Sequence, residues 1–145
     1  MTHHEIMINF LQWEFADFIY ANEVNPIEVW RSELSENAQF TFDKILKDCR
    51  KTELHTDWVA FKRFLKGKCK KQHIWELEFR SDKQQHRVLC IFDPDARKRV
   101  VLLVGCYHKQ SVYTPKNALT EACNRAAMFK RGEGNRRERK VAIDQ

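Results

Sequence analysis

The sequence is poor in chain breakers, with four glycines and three prolines among 145 residues. That scarcity argues against a linker-rich or disordered chain, and a 43% hydrophobic and 12% aromatic content predicts a compact globular unit. Long apolar runs are missing as well. Nothing approaches the roughly 20 residues that cross a bilayer, and the opening MTHHEIMINF lacks a basic stretch leading into an apolar segment and a small-residue cleavage site. A cytoplasmic protein without a membrane partner is the expectation. The five cysteines, at 49, 69, 90, 106 and 123, are odd in number and show neither CxxC nor the Cys/His spacing of a metal site. Reduced thiols, no metal and no other cofactor are therefore expected. Internal repeats and low-complexity segments are absent too.

The length suits one domain with its own core. A formal charge of +6 favours a polyanionic partner. Its cations gather in KDCRK (47–51), FKRFLKGKCKK (61–71) and KRGEGNRRERK (130–140). Each block also reads as an ordinary solvated surface. The last one suggests a domain over 1–130 followed by a basic C-terminal tail over 131–145, either disordered or a longer helix.

Hydrophobic periodicity organises the rest. In IMINFLQWEFADFIYAN, Ile6, Ile8 and Phe10 alternate as in a strand, while Ile8, Leu11, Phe15 and Phe18 fit a helical stripe; a strand at its start is the reading adopted. Asn25-Pro26-Ile27-Glu28 is a helix start with a cap, a proline at the first helical position and a glutamate suited to a capping box. Ser35 caps a second helix, in which Ala38, Phe42, Ile45 and Cys49 share a face. From His73 the period falls to two, with Trp75, Leu77 and Phe79 on one side and Glu76, Glu78 and Arg80 on the other. Two further strands follow, over 86–92 and 99–107, separated by the Asp93-Pro94 turn. Thr114-Pro115 predicts a last helix, with Leu119, Ala122, Ala126 and Phe129 inward. The order strand-helix-helix-strand-strand-strand-helix predicts an α+β fold: a small, mostly antiparallel sheet with helices on one face and the other face partly open.

Taken in order, NPIEVWRSELSENAQFTFDKILK, FKRFLKG, IWELEF, HRVL, VVLLVGCYHK and YTPKNALTEACNRA resemble the RelE/HigB superfamily of toxins from type II toxin-antitoxin systems, in its phage-derived branch. The resemblance implies a small α+β fold and, for many members, a metal-independent endoribonuclease that cleaves mRNA on the ribosome and is neutralised by a small cognate antitoxin. The superfamily also includes DNA gyrase inhibitors, so a non-catalytic binding protein, either a gyrase inhibitor or a decayed RNA- or antitoxin-binding domain, is the alternative. Within the motifs, Arg87 matches an arginine of the family and Lys109 a lysine. Glu78 stands where the family has arginine, His86 where it has tyrosine, and His108 where a lysine is expected.

Cleavage of RNA by its own 2′-hydroxyl needs a proton acceptor, a stabiliser for the phosphoryl oxygens and a proton donor for the leaving oxygen. Arg87 is the candidate stabiliser, His108 the candidate acid or base, and Lys109 could share that work if the backbone turns at YHKQS. Arg80, on the same strand face as Glu78, could serve the substrate surface. Tyr107 or Tyr113 could stack on a base, and Lys62, Lys66, Lys68, Lys70 and Lys71 could guide the phosphate backbone. A plainer role competes for Arg87, which can pair with Glu76 or Glu78 across neighbouring strands.

Overall fold

A computed structural model describes residues 12–52, 58, 61–63, 71–109 and 112–141. Its strands are β1 (Glu14–Tyr20), β2 (Phe61–Arg63), β3 (Trp75–Ser81), β4 (Gln84–Phe92), β5 (Arg99–Lys109), β6 (Val112–Thr114) and β7 (Gly134–Glu138). Its helices are α1 (Pro26–Ser32), α2 (Glu36–Lys51) and α3 (Ala118–Lys130). The strands form one sheet in the order β2-β3-β4-β5-β1-β7, with β6 also paired to β5. Among the described residues only the β1–β5 pair is parallel. The α+β class, the mostly antiparallel sheet and the order of the main elements agree with the sequence reading.

Local chemistry sets the first two helices. The Asn25 side chain accepts from the Glu28 amide at 3.0 Å, and Ser35 Oγ accepts from the Ala38 amide at 3.1 Å, so each cap satisfies a donor that the helix leaves unpaired. The third helix begins later than Thr114-Pro115 suggests. Thr114 ends β6, its bond to Pro115 is cis, and α3 starts at Ala118. Pairing of Thr114 with Tyr107 extends the sheet at the point where the sequence offered a cap.

Two cores lie on opposite sides of the sheet. Phe15, Leu77, Val88 and Leu102 pack beneath Ile27, Phe42 and Leu46 of α1 and α2. Phe18, Leu89, Ile91, Val101 and Leu103 pack against Ala118, Ala122, Ala126 and Phe129 of α3. Helices α1 and α2 thus share a face as expected, whereas α3 covers part of the opposite one. The small side chains on α3 let its backbone lie close to the sheet.

One irregularity in β5 governs the rest. Leu89 pairs with Val104 but Cys90 with Leu102, which leaves Leu103 as an extra residue. Leu103 and Val104 consequently both point toward α3, and every later side chain of β5 faces the side opposite to the one that unbroken alternation would give. Gly105 lies under Trp30, where a Cβ would sit 2.0 Å from the indole ring. Helix α1 therefore rests directly on the β5 backbone.

Residues 134–138, placed by the sequence reading in a tail, form β7 alongside β1, with Gly134 opposite Tyr20 and Glu138 opposite Ala16. Cys123 is disulfide-bonded, which departs from the expectation of reduced thiols, while Cys49, Cys90 and Cys106 are free and buried. Ile6, Ile8 and Phe10 lie outside the described residues, and the strand found in this region is β1.

Candidate functional site

The side chains of interest meet where β3, β4, β5 and β6 run together on the α3 side of the sheet. Alternation along β3 sends Glu76, Glu78 and Arg80 to this side while Leu77 and Phe79 enter the other core. On β4, Arg87 shares the side of Leu89 and Ile91. Glu78 is paired with Arg87 across the strands, and Glu76 is the next residue of β3 on that side.

Arg87 is consequently enclosed by carboxylates. Its Nη1 donates to Glu76 Oε2 at 2.7 Å and also to Glu78 Oε1. Glu76 is 3% exposed and Arg87 9% exposed, so the contact is a buried ion pair and not a surface one. The other Glu76 oxygen accepts from the Tyr113 hydroxyl. Burial, reinforced by that hydrogen bond to Glu76, pushes the Tyr113 phenol up and keeps it a proton donor. Arg87 Nε is buried and has no hydrogen-bond partner among the described residues.

His108 reaches the same side because of the bulge at Leu103. Its ring lies 4.3 Å from that of Tyr113 on the paired strand β6. Arg87 is opposite Cys106, so His108 is its diagonal neighbour on β5. Lys109 does not join them. Strand β5 remains extended through Lys109, without the turn that sharing would need, and alternation sends Lys109 and Tyr107 to the opposite face.

The remaining candidates are scattered. Arg80 is exposed and faces the same side as Glu78. The Lys62 backbone pairs with Glu76 in β2. Lys71 is exposed in a short turn, and Lys66, Lys68 and Lys70 lie outside the described residues. Sequence reasoning missed the centrality of Glu76, which links Arg87 to Tyr113. Its signal was a carboxylate inside WELEF, on the strand face that also carries Glu78.

Among the described residues the free thiols offer no nucleophile. Burial pushes Cys49 and Cys106 up to about 12, so both stay protonated at neutral pH. No set of three or more metal-ligating side chains is found among the described residues.

His86 occupies the opposite face. Its ring stacks on Phe79 at 4.8 Å, and neither ring nitrogen has a well-placed hydrogen-bond partner. Desolvation lowers its pKa, offset in part by the Ser81 backbone and Asp82. The unfolded chain protonates this histidine below about pH 6.5, where the folded chain keeps it neutral. Stability is thus full above that pH and declines as pH falls below it toward the lowered folded value. His86→Phe preserves the stacking and removes two poorly satisfied buried nitrogens. It is expected to stabilise by about 1 kcal/mol at neutral pH and by more at pH 5.5, read from urea unfolding at both pH values.

Residues 30–127 match the family model described as phage-derived protein Gp49-like (DUF891). The chain belongs to this family. The match spans α1 from Trp30 through most of α3 and includes every residue of the Glu76–Arg87–Tyr113–His108 cluster, while β1 and β7 lie outside it. No curated protein and no solved structure matches the chain. Membership of the Gp49-like family is consistent with a toxin of a toxin-antitoxin system, which implies an antitoxin as partner in general terms. No helix among the described residues is long and apolar enough to cross a membrane.

Proposed function

We propose that this Gp49-like chain is the toxin of a toxin-antitoxin pair, related to the RelE/HigB superfamily, and that it acts by binding its target and not by cleaving RNA. The observation that carries this reading is the enclosure of Arg87 by Glu76 and Glu78. A phosphate meeting this guanidinium would lie beside two carboxylates held on Nη1, an arrangement that like charge disfavours. Nη1 of the guanidinium is already engaged by both carboxylates. Glu78, standing where the resembling toxins carry arginine, changes the local charge in the same direction.

A second reading keeps the chain as a metal-independent, ribosome-dependent mRNA endoribonuclease. It is favoured by the diagonal placement of Arg87 and His108 on one face, beside the Tyr113 ring. In that scheme His108 moves the proton of the 2′-hydroxyl, Tyr113 supplies a stacking surface and Arg80 meets the message backbone.

The two are separated by inducing the chain in a bacterium without an antitoxin, beside His108→Ala, which leaves the Arg87 ion pairs in place. Growth, plasmid supercoiling and RNA 5′ ends across translated messages are the readouts. Growth arrest without new ends, retained in His108→Ala, is the expected result. A shift in supercoiling would identify gyrase as the target. New ends inside reading frames that vanish in His108→Ala would replace binding by ribonuclease action. Rescue of growth by a small protein that copurifies with the chain would identify the antitoxin.

A further inference from the structure

Strand β7 is unusual in what holds it. Of its residues Gly134 to Glu138, all but the glycine are exposed, so it contributes little to either core. The side-chain attachments of the strand and the residues after it are mainly ionic, with Arg139 also lying over the Phe42 ring and Val141 packing against the core beneath α1 and α2. Arg136 Nε lies 3.7 Å from Asp93, Arg137 Nη2 donates to Glu23 at 3.1 Å, and Arg139 grips Asp17 with two bonds of 2.7 Å while also reaching Glu28. Two of the acceptors, Asp17 and Asp93, are built into the body of the fold, whereas Glu23 and Glu28 are exposed. Asp17 is 3% exposed in the middle of β1 and also accepts from Asn25 Nδ2 at 2.9 Å, and the Asp93 side chain is fully buried.

The edge of β1 is therefore a receptor for an extended segment of defined sequence. At its start, a Cβ on Gly134 would come within 2.4 Å of the Phe18 ring, so the position opposite Tyr20 excludes larger residues. Beyond the other end an arginine must meet Asp17 bidentately. Glycine at the first position, followed by arginines at the third, fourth and sixth, is the pattern GNRRER of residues 134–139. Any other copy of the chain carries it.

We propose that the β1 edge is a self-association site, on which segment 134–141 of a second copy replaces the chain's own and yields a strand-exchanged dimer. Exchange remakes every β7 contact in trans, since donor and acceptor are the same residues. What opens is the turn Arg131–Glu133. There Gly132 has φ of 75°, the Glu133 amide donates to the Met128 carbonyl at 2.9 Å, and Arg131 pairs with Glu133. Gly132 is able to adopt the extended backbone that crossing to a neighbour requires.

The test shortens that turn by deleting Gly132 and Glu133, so that a strand leaving α3 no longer folds back onto its own β1. Light scattering after size exclusion is expected to give a dimer for this variant. It is expected to revert to monomer when Gly134→Val, which blocks seating beside Phe18, is added. Unshortened chains with and without an isotope label, unfolded and refolded together at high concentration, are expected to give mixed dimers in native mass spectra, absent in Arg139→Ala. A monomeric deletion variant with native circular dichroism overturns the proposal, and so does a dimer that persists with Gly134→Val. Should the deletion variant not fold, the mixed-dimer measurement on the full chain decides alone: mixed dimers lost in Arg139→Ala support exchange, and their absence overturns it.

Discussion

Arg87→Ala is expected to destabilise the chain by about 3–5 kcal/mol, because it leaves the Glu76 carboxylate buried without its counter-ion. Glu76 would keep the Tyr113 hydroxyl as a donor, and one neutral hydrogen bond does not replace a guanidinium. The loss should show as a fall in the urea midpoint with little change in slope. Removing both charges tests the cause. Arg87→Met combined with Glu76→Gln should recover most of the stability, since a buried ion pair replaced by neutral groups of similar volume is often neutral or better. If Arg87→Ala alone costs less than about 1 kcal/mol, the enclosed arrangement is wrong. The result bears directly on function. Loss of activity in Arg87→Ala would follow from unfolding as readily as from missing chemistry, so His108→Ala is the better probe of catalysis.

Gly105→Ala is expected to cost about 3 kcal/mol, at the upper end of ordinary overpacking. Its new Cβ would lie 2.0, 2.3 and 2.5 Å from three atoms of the Trp30 ring, which must move away from β5. Trp30 has little room to yield, as it meets Phe42 edge-on at 5.1 Å and Phe79 at 6.4 Å. Loosening of α1 should accompany the loss, visible as a red shift of tryptophan fluorescence. The effect should also be non-additive. In a Trp30→Ala background, Gly105→Ala should cost much less, because the atoms it strikes are gone. Equal costs in both backgrounds would mean that α1 does not rest on Gly105.

Both expectations depend on features with different standing in the sequence. Arg87 as an ion-pair partner was legible, because WELEF places two glutamates on one strand face and HRVL follows as the neighbouring strand. What the pattern left open was whether the arginine faced those carboxylates or a substrate, and that depends on strand register and on the depth of burial. Gly105 carried no such signal. A glycine near the end of VVLLVG is compatible with many environments until α1 is known to cross above it. The Asp17–Arg139 pair had a faint trace, an aspartate inside the apolar run EFADFIY, yet its partner is 122 residues away in sequence.

The sequence by itself determined the local elements and their class. Caps at Asn25 and Ser35, the helical stripe of Phe42 and Cys49, and the alternation through 75–80 are short-range effects, readable wherever the residues that interact are close neighbours. Tertiary structure alone decided the rest. The extra residue at Leu103 reversed the facing of the end of β5, which brought His108 to the side of Arg87 and sent Lys109 away from it. Pairing with β1 made a strand of Gly134–Glu138, whose basic composition had suggested a tail. α3 moved to the far face because Ala118, Ala122 and Ala126 fit closely over Leu89 and Val101. In each case the deciding contact joins segments far apart in the chain, and periodicity along one segment carries no information about its partner's register or side.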